Sequence, residues 1–165
     1  MTPADLGGGH LVVKDSQGKV VGAVIAPSGD GDVLHVVRSF GGQPVVLAVT
    51  ADGFTNDDPT FALYHASTDC TGPPLINENG VTASRLLLPA AGVQGGVAYY
   101  ASGTVVAGES GSAETVDDPA LCDPSLLTPR GGCCDNSVVA DTTSRAATLN
   151  LSSLGLVPPS HVEGP

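Results

Sequence analysis

An all-β fold, an antiparallel sandwich or barrel with short turns, is what this sequence predicts, and three observations predict it. Apolar runs rich in β-branched residues recur at short intervals with turn residues between them. Glycine and proline together make up 35 of the 165 residues (22 and 13), with no Gly-X-Y period, so the chain is dense in turns and is not collagenous. No window carries an apolar stripe of helical period long enough for a core helix.

The elements follow in order. Strands are predicted at 10–14 (HLVVK), 19–26 (KVVGAVIA), 32–38 (DVLHVVR), 44–50 (PVVLAVT), 60–66 (TFALYHA), 83–88 (ASRLLL), 96–107 (GVAYYASGTVVA), 136–141 (NSVVAD) and 146–151 (AATLNL). The sharpest local signal is VVKDSQGKVVGAVI. Two valine-rich segments flank Asp15, Ser16, Gln17 and Gly18, and Gly18 can take the positive φ that closes a hairpin. APSGDGD and TADGFTNDDPT read as further, more acidic turns. At most one short helix is expected, about two turns around DPALCDPSLL at 118–127; Pro119 suits its first turn and Pro124 soon interferes. One β domain over 15–157 is expected, with an extended N-terminal segment 1–14 and a C-terminal tail 158–165.

Composition narrows the function. Charged residues are 14% of the chain and aromatics 4%, with no Trp, so the surface relies on small polar side chains and glycine. Six Lys and Arg against seventeen Asp and Glu give a net charge of −11, which repels a phosphate backbone or an anionic lipid surface. Nucleic acid and membrane are therefore not expected partners. The longest clean apolar run, VVLAV at 45–49, is far shorter than the roughly 20 residues that cross a bilayer as a helix. MTPADLGGGH has neither a basic n-region nor an apolar h-region, so an exported chain would have lost a leader or would travel without one, as virion proteins do.

Four cysteines offer the clearest chemistry. Cys133 and Cys134 are adjacent, while Cys70 and Cys122 stand alone, and neither arrangement fits the paired spacing of a zinc site. A redox motif wants Cys-x-x-Cys with basic neighbours, and Asp135 beside the pair works the other way. Two disulfides are the expectation. A bond between neighbours closes a strained eight-membered ring, so Cys133 and Cys134 should reach separate partners among Cys70 and Cys122. Adjacent residues of an extended chain face opposite ways, which suits two bonds leaving in opposite directions. Disulfides persist outside the reducing cytosol, which points to an extracellular or virion-surface location.

Other residues are weaker candidates. Asp52, Asn56, Asp57 and Asp58 supply oxygen ligands of the kind Ca2+ takes, as do Asp30 and Asp32, but neither loop has the twelve-residue pattern ending in Glu. His10, His35, His65 and His161 are scattered, and no metal or cofactor site is expected from them. No serine lies in a G-x-S-x-G elbow, GGG at 7–9 leads into no phosphate-loop pattern, and no catalytic residue is assigned; an enzyme is not expected. Asn150 opens an N-glycosylation acceptor pattern, NLS.

LVVKDSQGKVVGAVI, VVLAVTADGF, FALYHASTDCTGPPLI and TLNLSSLGLVPPSHVEGP together resemble a group of bacterial exported β-domain proteins and phage tail-fibre-like modules. The resemblance implies a β-rich surface or fibre module without an active site, and it carries over no functional residues. Low charge, small side chains and dense turns fit the same class. The expected function is thus a structural subunit of an extracellular filament or tail-fibre-like appendage, with copies of itself as partners and residues 1 to about 14 exchanged between neighbours. The alternative is a secreted lectin-like or Ca2+-dependent module that binds surface glycans.

Overall fold

A computed structural model describes residues 10–28, 31–57, 61–77, 82–83, 88–106, 108–115 and 119–164. The fold is all-β, and among the described residues the only helical elements are short 3-10 turns. None of them is long and apolar enough to cross a membrane as a helix. Where one domain was expected, the chain divides into two compact units. The first comprises residues 1–55 with 155–165, and the second is the intervening 56–154.

The first unit is a six-stranded antiparallel sheet. Its strands are β1 (Val12–Lys14), β2 (Val20–Pro27), β3 (Leu34–Phe40), β4 (Gln43–Thr50), β5 (Gly53–Thr55) and β15 (His161–Glu163), in the order β15-β1-β2-β3-β4-β5. From β1 to β5 the sheet is a simple meander, as four hairpins between sequential strands require. The β1–β2 turn is the predicted one: the Gly18 amide bonds the Asp15 carbonyl at 3.0 Å, and Gly18 has φ +79°. Asp15 is fully buried and organises this turn. Its Oδ1 accepts the amides of Gln17 (3.0 Å) and Lys19 (2.7 Å), and its Oδ2 accepts that of Val157 at 2.9 Å. The Val157 bond first, then those from Lys19 and Gln17, hold the Asp15 carboxyl below the usual carboxylate range against the opposing effect of burial. Val13, Val21, Val36 and the run Val45–Val49 supply this unit's buried apolar side chains.

Two sequence expectations change here. Residues 158–164 are not a free tail, because His161–Glu163 pair antiparallel with Lys14–Val12, and Lys14 forms an ion pair with Glu163. Nor is β1 available for exchange with a neighbour, since its own β2 and β15 occupy both sides of it. Residues 1–9 of the proposed exchange segment lie outside the described residues.

The second unit holds a curled seven-stranded sheet. Its strands are β6 (Ala62–His65), β7 (Leu75–Asn77), β10 (Gly92–Gln94), β11 (Val97–Val106), β12 (Ser112–Thr115), β13 (Cys133–Asp135) and β14 (Thr143–Asn150), in the order β10-β11-β14-β7-β6-β12-β13. A two-residue ladder, β8 (Thr82–Ala83) with β9 (Leu88–Pro89), stands apart; the other residues of the strand predicted at 83–88 lie outside the described residues. Phe61, Leu63, Ile76 and Tyr99 form the apolar core, with Val97, Ala101 and Ala146 packed against them.

Two further differences have local causes. The strand predicted at 136–141 is displaced to 133–135, because the Asp135 carboxylate accepts both the amide (2.7 Å) and the hydroxyl (2.6 Å) of Ser137 and turns the chain out of the ladder. The predicted helix at 118–127 breaks into two 3-10 turns, Pro119–Leu121 and Pro124–Leu126. Pro124 brings no N–H to continue the first, and Asp123 caps the second by accepting the Ser125 amide at 2.8 Å.

Candidate functional site

The cysteines converge on β13. Cys70 bonds Cys134 and Cys122 bonds Cys133, so each of the adjacent residues takes its own partner. Register explains how. Cys134 stands opposite Glu114 in the β12–β13 ladder and therefore shares its face of the sheet, whereas Cys133, one residue away, points to the other face.

Glu114 is the residue that sequence reasoning missed. It pairs with Leu63 across the β6–β12 ladder, which puts its side chain on the core face, and none of that side chain is exposed. An isolated carboxylate there would be prohibitively costly, so the fold surrounds it with partners. Oε1 accepts from Gln94 Nε2 at 2.7 Å and from the Thr128 hydroxyl; Oε2 accepts from Arg130 Nη1 at 3.1 Å. His65 lies two residues from Leu63 on the same face and is fully buried, with Nε2 3.4 Å from Oε2, a close polar contact not aligned as a hydrogen bond. Burial alone would raise the Glu114 carboxyl. The contacts from His65, Thr128 and Gln94 and the Arg130 charge outweigh it and bring the pKa down from 4.5 to about 2.

Chemically, this cluster is a tie and not a reaction centre. A carboxylate with no exposed surface, both oxygens engaged and a pKa near 2 has neither access to a substrate nor a proton to give at neutral pH. The sequence offered only faint signals for it: SAET reads as one more polar stretch, and Arg130 is the only cation between Arg85 and Arg145.

A surface cleft of about 770 Å³ lies beside the cluster, framed by both disulfides and lined by Leu121, Leu126 and Leu127 from the 3-10 segment. Leu121 is 84% exposed, unusual for so large an apolar side chain. Asp69 and Asp135 border the cleft, each held below the usual carboxylate range first by a neighbouring hydroxyl, that of Thr71 and that of Ser137. No aromatic ring lines it.

The remaining sequence candidates stay apart. Asn56 is occupied, because its amide nitrogen donates to the Val93 carbonyl at 2.7 Å and its amide oxygen accepts the Val93 amide, which seals the outer edge of β10. Asp52 sits in the two-residue β4–β5 turn and Asp32 is exposed; Asp30 and Asp58 lie outside the described residues. His161 contacts Glu163 at 3.2 Å, His35 lies in β3, and His10 is exposed ahead of β1. Among the described residues, no three His, Cys, Asp or Glu side chains are grouped to hold a metal ion. Asn150 is exposed at the end of β14, where its Oδ1 accepts the amide (3.0 Å) and hydroxyl (2.7 Å) of Ser152. Comparison with protein-family models, curated proteins and solved structures finds no match to this chain.

Proposed function

We propose that the protein is a structural module of an extracellular filament or tail-fibre-like appendage and associates with further copies of itself through a sheet edge. The observation that carries this reading is the outer side of β15. It is an end strand of the six-stranded sheet, no described strand pairs with it there, and Val162 on it is 45% exposed beside the exposed Leu11. Open edges of this kind accept another strand, and a head-to-tail contact that does not close on itself propagates as a fibre. Both disulfides support a working place outside the reducing cytosol.

Sedimentation at rising concentration, with negative-stain microscopy, tests this. Association that is abolished by Val162→Lys, with the β-sheet circular dichroism unchanged, is the expected result. A monomer at every concentration overturns it.

The cleft favours a second reading, a binding module for a surface ligand. Its leucines and flanking carboxylates offer an apolar wall to the C–H face of a glycan and acceptors to its hydroxyls. Glycan-array binding by the labelled protein, lost on Leu121→Ser, is what that reading expects.

A further inference from the structure

The twelve residues from Cys122 to Cys133 form a strap across the buried carboxylate. Thr128 and Arg130 reach down from it to Glu114, and Arg130 Nη2 also donates to the Gly72 carbonyl at 3.4 Å. Gly132 lies so close that a β-carbon there would come within 2.5 Å of Glu114 Cγ. Within the strap the bonds are local: Leu126 N to Asp123 O at 2.8 Å, the Asp123 carboxylate to the amide and hydroxyl of Ser125, Thr128 N to Gly132 O at 2.9 Å, Gly131 N to Thr128 O at 3.0 Å, Gly132 N to Thr128 Oγ1 at 3.2 Å, and a single bridge between Leu127 and Cys133. The covalent hold on its outgoing end is Cys122–Cys133.

The two disulfides differ in access. Cys70 is 3% exposed, so its sulfur is shielded, although its partner Cys134 is half-buried and both line the same cleft. Cys122 and Cys133 are both half-buried and border the open cleft, next to the exposed Leu121 and Asp123. An attacking thiolate must reach a sulfur along the S–S axis, so the accessible bond reacts first.

We propose that Cys122–Cys133 is a reversible redox latch on this strap, while Cys70–Cys134 is its permanent hinge. A small dithiol opens the latch. One of its thiolates attacks a sulfur of the pair, the S–S bond breaks, and the second thiol displaces the mixed disulfide. The protein gains two electrons and two protons as two thiols, and the reductant leaves as a cyclic disulfide. Residues 122–131 then keep only non-covalent ties, the Thr128 and Arg130 contacts with Glu114 and Gly72, the Leu127–Cys133 bridge and the Thr128–Gly132 bonds, and swing away about Cys134. This dismantles the cleft and uncovers Glu114 and His65. A disulfide oxidant reverses each step.

The experiment is a dithiothreitol titration of the folded protein, quenched with iodoacetamide and read by peptide mass spectrometry, alongside amide hydrogen exchange. Cys122 and Cys133 should be labelled at reductant concentrations about tenfold below those that label Cys70 and Cys134. At that stage exchange should rise across 123–132 and stay unchanged in β6, β7 and β14. Labelling of all four cysteines together, labelling of Cys70 first, or an unaltered strap after selective reduction overturns the proposal. The double variant Cys122→Ser/Cys133→Ser should reproduce the exchange pattern of the selectively reduced protein. A strap as protected as in the oxidised protein, or loss of the β-sheet signal, counts against a latch.

Discussion

Gln94 donates a 2.7 Å hydrogen bond to Glu114 although four strands separate β10 from β12 in the sheet order. In a flat sheet those strands would stand about 24 Å apart, five spacings of roughly 4.8 Å. The bond exists because the sheet curls until its two ends face each other, and the carboxylate ties them. Replacing Glu114 with Gln removes the charge that Arg130 faces and leaves a second amide opposite Gln94. A loss of about 2–4 kcal/mol in urea denaturation is expected, and a loss below about 0.5 kcal/mol would show that the curl holds without the tie.

The same carboxylate sets an acid limb. Its folded pKa, about 2, lies below its ordinary 4.5, so the folded state prefers the ionised form. The stabilisation is therefore complete above about pH 4.5 and drains away as the pH falls toward 2. Melting temperature should drop over that window in the wild-type protein and drop less steeply in Glu114→Gln.

Gly132 is required by proximity. Its φ is not in the left-handed region, but a β-carbon would approach Gln94 Nε2 to 2.6 Å and Glu114 Oε1 to 2.8 Å. Gly132→Ala should push the bonded network apart at a cost of about 1–3 kcal/mol. Both disulfides should remain formed by mass, and a thermal melt indistinguishable from wild type would contradict the close packing.

Gly18 isolates the opposite effect, because nothing lies within 4 Å of where its β-carbon would stand. Any penalty there comes from φ +79° alone. Gly18→Val should lose about 1–3 kcal/mol, whereas Gly18→Asn, which tolerates left-handed backbone, should lose less. Equal losses would mean that the turn changes conformation.

Asp15→Ala leaves the amides of Gln17, Lys19 and Val157 without their shared acceptor. The Val157 amide should exchange faster than in the wild-type protein. Because the folded Asp15 carboxyl sits below its ordinary 3.8, this contribution is present above that pH and fades below it. An unchanged rate at Val157 would show that other contacts hold this segment.

Long strands were legible in the sequence and short ones were not. VVGAVIA and PVVLAVT carry enough β-branched residues to declare themselves, while β5, β7, β10, β12, β13 and β15 span three or four residues each and contain no full pattern. The cysteine pairing was constrained by adjacency, a local property. Glu114 was hidden for the converse reason. Its role depends on Gln94, Thr128, Arg130 and His65, drawn from three separate segments, and only the closed sheet brings them together. Asp15 read as an ordinary turn acid, since its third bond goes to Val157, 142 residues along the chain.

Pairing of β1 with β15 has a mechanical meaning. Val12 stands opposite Glu163 and Lys14 opposite His161, so the chain preceding β1 and the chain following β15 leave from the same end of the ladder. A pull through those flanks loads the pairs one after another, Val12–Glu163 first, and peels the strands apart as a zip opens; it never shears the ladder as a whole. Residues 56–154 enter and leave the first unit as one covalent insertion and lie outside that line of force while the zip holds. Under tension, then, β15 is the fuse: its pairs with β1 are the first in that line of force to be loaded.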